Sequence, residues 1–148
     1  MASPDKERDM GSFRKALAVR TSAEGDIVDL TEELNSAVRA CGFKTGLACI
    51  FVSHSTAALF TIENEDGLRK DMRDGLQRLF PKEIEYEHHK RWGDGNGHSH
   101  IRSAFLGTSL TVPFHDGAPD LGTWQQVVLM ELDNRGRDRK IIIQIIGE

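Results

Sequence analysis

Four of the six histidines in this 148-residue chain fall between Tyr86 and His100, in the segment YEHHKRWGDGNGHSH. They form two groups, His88-His89 and His98-Ser99-His100, separated by Gly93-Asp94-Gly95-Asn96-Gly97. Imidazole is the commonest metal ligand and the usual acid–base group near neutral pH. Glycine lets a backbone bend tightly or approach a ligand. Together they predict a small site built on a bending loop. On a strand, both imidazoles of the HxH lie on one side and can share a metal. His88, across the glycine bend, adds a third nitrogen and leaves a position for water, as in a catalytic zinc site. His88, His98 and His100 are therefore the candidate ligands of a divalent metal, zinc or magnesium. The competing reading is a set of surface or hydrogen-bonded histidines in a long loop, with His89 solvated. The glycine run matches neither phosphate-loop nor dinucleotide fingerprints, although successive amides in it can form an anion nest. It lacks the acidic spacing and distal glutamate of an EF-hand.

Other residue types in the chain suit the same chemistry. Ser55 and Thr56, after His54, are small hydroxyls at a strand end; they can line a pocket and hold a phosphate, or close an ST-turn. Glu63 and Asp71 can act as general base or orient a metal ligand; the alternative is solvated or capping carboxylates. Gln125 can bond a substrate or pair across a sheet, and Trp124 suits core or subunit-interface packing. Glu131 interrupts the apolar run 127–132. If it faces inward it needs a partner, an arginine or a site histidine. Arg135, Arg137, Arg139 and Lys140 form a basic cluster, read either as a phosphate contact across a subunit boundary or as a solvated turn.

The elements that must position these groups follow from hydrophobic spacing. Residues 13–21 (FRKALAVRT) partly alternate and predict a strand, with a short one at 27–30. Thr31 predicts an N-cap, with Glu32 and Glu33 suited to a first helical turn. Leu34, Val38 and Cys41 keep helical spacing up to Gly42. The run LACIFV at 47–52 predicts a strand buried on both faces, followed by a strand at 57–62. Leu68, Met72, Leu76, Leu79 and Phe80 share one face of a helix at 66–80, ended by Pro81. Residues 101–106 predict a short helix or strand, 109–114 a strand, and 116–120 a turn. Long strands at 123–133 and 140–146 are joined by residues 134–139 as a hairpin loop. This order is no regular alternation, so it predicts an α+β fold with a mostly antiparallel or mixed sheet.

Length fits one domain. A net charge of −4 predicts no general attraction to nucleic acid. No apolar run approaches the roughly 20 residues of a membrane span. The opening MASPDKERDMGS has no apolar core of a secretory signal and predicts a disordered lead-in over 1–12. Cys41 and Cys49 form no CxxC and read as buried free thiols of a cytoplasmic protein.

The segments HSTAALFTIE (54–63), Asp71, YEHHKRWGDGNGHSHIRS (86–103), GTSLTVPF (107–114), DGAPDLGTWQQ (116–126) and DNRGRDRK with a terminal IGE together resemble the YjbQ-type proteins. These are described as secondary thiamine-phosphate synthases. The resemblance covers residues 13–148 as one domain and implies an α/β sandwich, with helices packed on a mixed, largely antiparallel sheet. It implies a homotrimer with pockets near subunit interfaces. Carried over residue by residue, it makes His88, His100, Glu63 and Asp71 catalytic candidates. His98, Gly122, Trp124, Gln125 and Glu131 also match its motifs. Ile62 departs from the asparagine common in relatives, and His54 stands where some members carry glycine. The activity implied is the joining of hydroxymethylpyrimidine pyrophosphate to a thiazole phosphate, releasing pyrophosphate. Ser55, Thr56, Asn96, Arg102 and Gln125 would bind the small phosphorylated metabolite, with metal assistance. The alternatives are a zinc-type hydrolase of a small phosphorylated or amide metabolite and a non-catalytic metabolite- or metal-binding trimer. No nucleic-acid or membrane partner is expected.

Overall fold

The computed structural model describes residues 9–148. In chain order the elements are β1 (Gly11–Arg20), β2 (Ile27–Asp29), α1 (Thr31–Cys41), β3 (Thr45–Val52), β4 (Ala57–Ile62), α2 (Asp66–Leu79), α3 (Glu87–Trp92), α4 (Gly97–Leu106), β5 (Ser109–His115), β6 (Ala118–Pro119), β7 (Gln126–Glu131) and β8 (Asp138–Gly147). A five-stranded sheet runs β1-β8-β3-β5-β6 and a three-stranded sheet runs β2-β7-β4. Every pairing among the described residues is antiparallel, so the α+β expectation holds.

Alternation explains how the sheets stack. Phe13, Leu17 and Val19 of β1, Ala48, Ile50 and Val52 of β3, and Ile141, Ile143 and Ile145 of β8 project to one side. They meet Val127 and Leu129 of β7, and α1 closes the end with Leu34, Ala37 and Val38. The next residues of β7, Val128 and Met130, face the other way onto Met72, Leu76 and Phe80 of the α2 region and Leu106 of α4. The result is three layers: large sheet, small sheet, helices. The three β8 isoleucines are fully buried; each contributes about 1.5–3 kcal/mol.

Several expectations need correction. Gly11 and Ser12 belong to β1, paired with Gly147 and Ile146; residues 1–8 of the expected lead-in lie outside the described residues. Thr31 is not the cap of α1. Its N–H bonds the Asp29 carboxylate at 2.8 Å, while its hydroxyl accepts the Val127 N–H at 3.0 Å and ties α1 to β7. β3 is buried on one face only: Leu47 and Phe51 point outward, 45 % and 38 % exposed. Residues 134–139 do not close a hairpin, because β7 and β8 lie in different sheets; the segment crosses between the layers. The strand expected at 123–133 is limited to β7, and Gln125 instead closes a turn by accepting the Gly122 N–H at 2.8 Å. Cys41 and Cys49 are free but only half-buried. No helix among the described residues is long and apolar enough to cross a membrane.

Candidate functional site

The crossing segment forms one wall of a cavity of about 880 Å³. His54, Ser55 and Thr56, between β3 and β4, form a second wall; Asn96 and His100, at the start of α4, form a third. Arg20, Arg135, Arg137 and Arg139 line it against Asp133 and Asp138. The cationic excess suits an anion.

These charges rest on a buried frame. Glu131 faces inward and meets Arg139: Nε donates to Oε2 at 2.9 Å, and Nη2 donates to Oε1. Thr21 Oγ1 adds a bond to Oε2 at 2.6 Å. Arg139 Nη2 also donates to Thr56 Oγ1 at 2.9 Å, and Thr56 donates to Asp133 Oδ2 at 3.2 Å. Burial raises the Asp133 carboxyl, but the Asn134 N–H, Asn96 and Arg137 outweigh it and hold the group below the usual carboxylate range. Arg137 Nε donates to Asp133 Oδ2 at 2.6 Å. Arg139 is therefore committed to the frame. Arg135 is exposed, and the exposed Arg20–Asp138 pair, at 2.9 Å, is weak enough to exchange partners.

His54 joins this site. Its Nε2 accepts the Lys140 N–H at 3.1 Å, which leaves Nδ1–H as a donor. Burial, with help from the Arg139 charge, lowers its pKa and so favours the neutral ring. His100 is also lowered, by burial and then by His88, against Asp133 and Asp94. The His88 and His100 rings lie 4.4 Å apart, and His88 Nε2 is 3.5 Å from Asp94 Oδ1.

The HxH does not lie on a strand. α4 begins at Gly97, whose N–H donates to His89 Nε2 at 3.0 Å. His89 is thus a cap, not a solvated side chain. A Cβ at Gly97 would sit 2.5 Å from Tyr86 Cβ, so glycine is required there. Residues two apart on a helix point about 200° apart. His98 therefore turns away from His100, is fully buried, and holds Glu24 Oε1 at 2.7 Å through Nε2. Burial lowers its pKa more than Glu24 raises it, and its Nδ1 meets no partner among the described residues. The expected three-histidine metal site is not formed: no group of three His, Cys, Asp or Glu among the described residues is placed to hold a metal ion.

Other candidates separate in the same way. Ser55, Thr56 and Asn96 line the cavity. Arg102 does not; its guanidinium braces the end of α2 through Phe80 O at 2.7 Å and Gln77 Oε1 at 3.0 Å. Gln125 borders a separate hollow beside β5. Glu63 and Asp71 are exposed and line neither. The residues passed over are Arg20 and Asp133, and His54, doubted as a catalytic residue, lines the cavity. The available signal was the Glu131/Asp133 pair at the end of a buried strand, followed by alternating arginines.

Residues 15–148 match the family described as UPF0047 protein, YjbQ-like. The chain belongs to this family. A UPF0047 protein of Methanothermobacter thermautotrophicus is 35 % identical over 139 residues, 94 % of this chain and 95 % of that one. YugU, a UPF0047 protein of Bacillus subtilis, is 31 % identical over 134 residues, 90 % of this chain and 98 % of that one. A YbjQ-like protein of unknown function from Sulfolobus solfataricus superimposes with a TM-score of 0.88 at 33 % identity, covering 95 % of this chain and 100 % of that one. The YjbQ-like fold is thus shared with solved relatives over the described domain.

Proposed function

We propose that this YjbQ-like chain is an enzyme that binds a small phosphorylated metabolite in the 880 Å³ cavity. The reaction is thiamine-phosphate-synthase-like: hydroxymethylpyrimidine pyrophosphate joins a thiazole phosphate. The observation that carries it is the wall of arginines facing the hydroxyls of Ser55 and Thr56. The volume lies in the range of small-molecule sites. In this reaction the bond between the pyrimidine methylene carbon and the pyrophosphate oxygen breaks, and its electron pair leaves with pyrophosphate. The thiazole nitrogen lone pair forms the new C–N bond. No proton moves, so the demand is neutralisation of the leaving phosphates rather than a base. Arg135, Arg137 and the exchangeable Arg20 supply positive charge; His54 Nδ1–H and Ser55 Oγ supply neutral donors. Such a site has no need of Glu63 or Asp71. The zinc-hydrolase alternative rested on three converging histidines and loses that support.

Self-association belongs to the same reading. Leu47, Phe51 and Ile146 expose an apolar outer face on the five-stranded sheet. Phe51 also lines the cavity, so a neighbour seated on this face would close the site, consistent with the homotrimer that the resemblance implies. The free thiols of Cys41 and Cys49 suit a cytoplasmic setting.

The test is formation of thiamine phosphate from the two substrates by purified protein. An R135A/R137A variant is expected to lose about 10²–10³-fold in rate, the scale for removing charge stabilisation from a transition state. Equal traces of product from wild type and variant would sink the synthase assignment. Pyrophosphate binding without turnover would instead favour the non-catalytic binding protein.

A further inference from the structure

A second hollow, of about 280 Å³, lies across the Glu131–Arg139 pair from the first: Glu131 lines it, while Arg139 lines the larger cavity, and the two share no lining residue. Its size falls just under the roughly 300–1,000 Å³ of drug-sized ligand pockets, so it suits a small ion. Arg102 lines this hollow and is 7 % exposed. A guanidinium carries five N–H donors in a planar fork. Nε and Nη2 of Arg102 share one edge and both donate to Phe80 O, at 3.1 and 2.7 Å; Nη2 gives its other hydrogen to Gln77 Oε1 at 3.0 Å. Nη1, on the opposite edge, makes no hydrogen bond among the described residues. Its ion-pair partner Glu24 Oε1 stands 3.8 Å away, and that oxygen already meets His98 Nε2 at 2.7 Å. Buried charges are ordinarily paired and hydrogen-bonded. Burial pushes the Arg102 guanidinium down more than Glu24 raises it, as expected of a charge short of partners.

The charges around Nη1 select the sign of that ion. Of the acids lining the hollow, Asp74 is engaged by Lys70 and Glu131 by Arg139. Arg102, Lys82 and Arg73 are left facing Glu24, an excess of positive charge. Lys82 holds Glu24, but both are partly open to solvent, 43 % and 22 % exposed, and such a pair exchanges partners readily. Glu24 keeps His98 when Lys82 turns away. Arg73, at the exposed rim, donates only to Gly25 O at 3.3 Å among the described residues. We propose that this hollow is a second anion site, which takes a free inorganic oxyanion of phosphate size. Arg102 Nη1 meets the ion at the buried end, and Lys82 and Arg73 close over it from the rim. Charge-assisted bonds from an arginine fork and a lysine ammonium are the usual means of holding such an oxyanion. The site goes beyond the reading of the larger cavity and uses none of its residues.

The test uses inorganic phosphate alone, titrated calorimetrically into full-length protein at low ionic strength. The R135A/R137A variant, with the larger cavity disabled, is expected still to bind one phosphate per chain. In that background K82A and R73A should each weaken binding at least tenfold. Both side chains reach solvent, so these variants keep the fold, checked by circular dichroism; R102M should abolish binding but also loosens the end of α2, so the rim variants carry the test. K44A removes the same charge from an exposed site outside both hollows and should bind as its parent. No saturable binding in R135A/R137A would overturn the assignment, as would K44A weakening binding as much as K82A does. The two sites fail separately. Equal binding of one phosphate by wild type and R135A/R137A would count against the larger cavity and leave this site standing; one phosphate in wild type and none in R135A/R137A would do the reverse.

Discussion

Glu131 has no exposed surface, yet it sits in the middle of an apolar strand because Arg139 and Thr21 satisfy its oxygens. The need for an arginine or histidine partner was readable from the run around it. Which arginine was not, because that depends on the pairing of strands in different sheets. Removing one member leaves the other charge buried and unpaired, at a cost of about 3–5 kcal/mol. R139M is therefore expected to lose that much in urea unfolding, and E131L/R139M clearly less than the sum of the single changes. Glu24 gives a pH prediction. Burial raises its carboxyl, but hydrogen bonds and charges from Lys82 and His98 outweigh this and hold it below 4.5. The sign follows: its contribution is complete above the unfolded value of 4.5 and is lost as pH falls through the lower folded value. E24Q should flatten the acid limb of a stability–pH curve below about pH 5 and lower stability at pH 7.

At the scale of elements, α4 decides what the histidine motif can do. Six residues of mixed polarity at 101–106 fit a helix or a strand equally, and periodicity alone cannot arbitrate so short a run. Extending the helix back to Gly97 sends His98 to the Glu24 network and His100 to the cavity. The two substitutions should therefore separate. H98A is expected to cost about 1–3 kcal/mol by removing a fully buried imidazole and its bond to half-buried Glu24, seen as a lower melting temperature. H100A should leave melting nearly unchanged and reduce turnover at the cavity. Equal effects of both on both readouts would contradict the helical assignment. α2 and β1 were legible because their spacings are long and regular; the crossing at 134–137 was not, since a short basic loop between two strands looks the same whether the strands pair or part.

At the scale of the molecule, the helices cover one face of the small sheet, while the outer face of the large sheet keeps Leu47, Phe51 and Ile146 in the open. Continuous hydrophobicity in LACIFV promised burial on both faces; within one chain only half of that is met, and a second copy would meet the rest. F51E is expected to shift sedimentation toward the monomer while leaving the monomer's circular dichroism intact, because Phe51 lies outside the core. An unchanged oligomer, or a wild type that is already monomeric, would remove this face as the interface.

The strand order carries a consequence for synthesis. The sheet neighbour of β1 is β8, and β8 also bridges β1 to β3. The first strand made must therefore wait for the last. Until residues 138–147 leave the ribosome, β1 has nothing to pair with, Glu131 lacks Arg139, and the frame that holds the anion cavity is incomplete. Long-range pairing of this kind closes slowly and leaves strand edges open meanwhile. The nascent chain is thus expected to stay protease-sensitive until β8 emerges and to become resistant in one step after it.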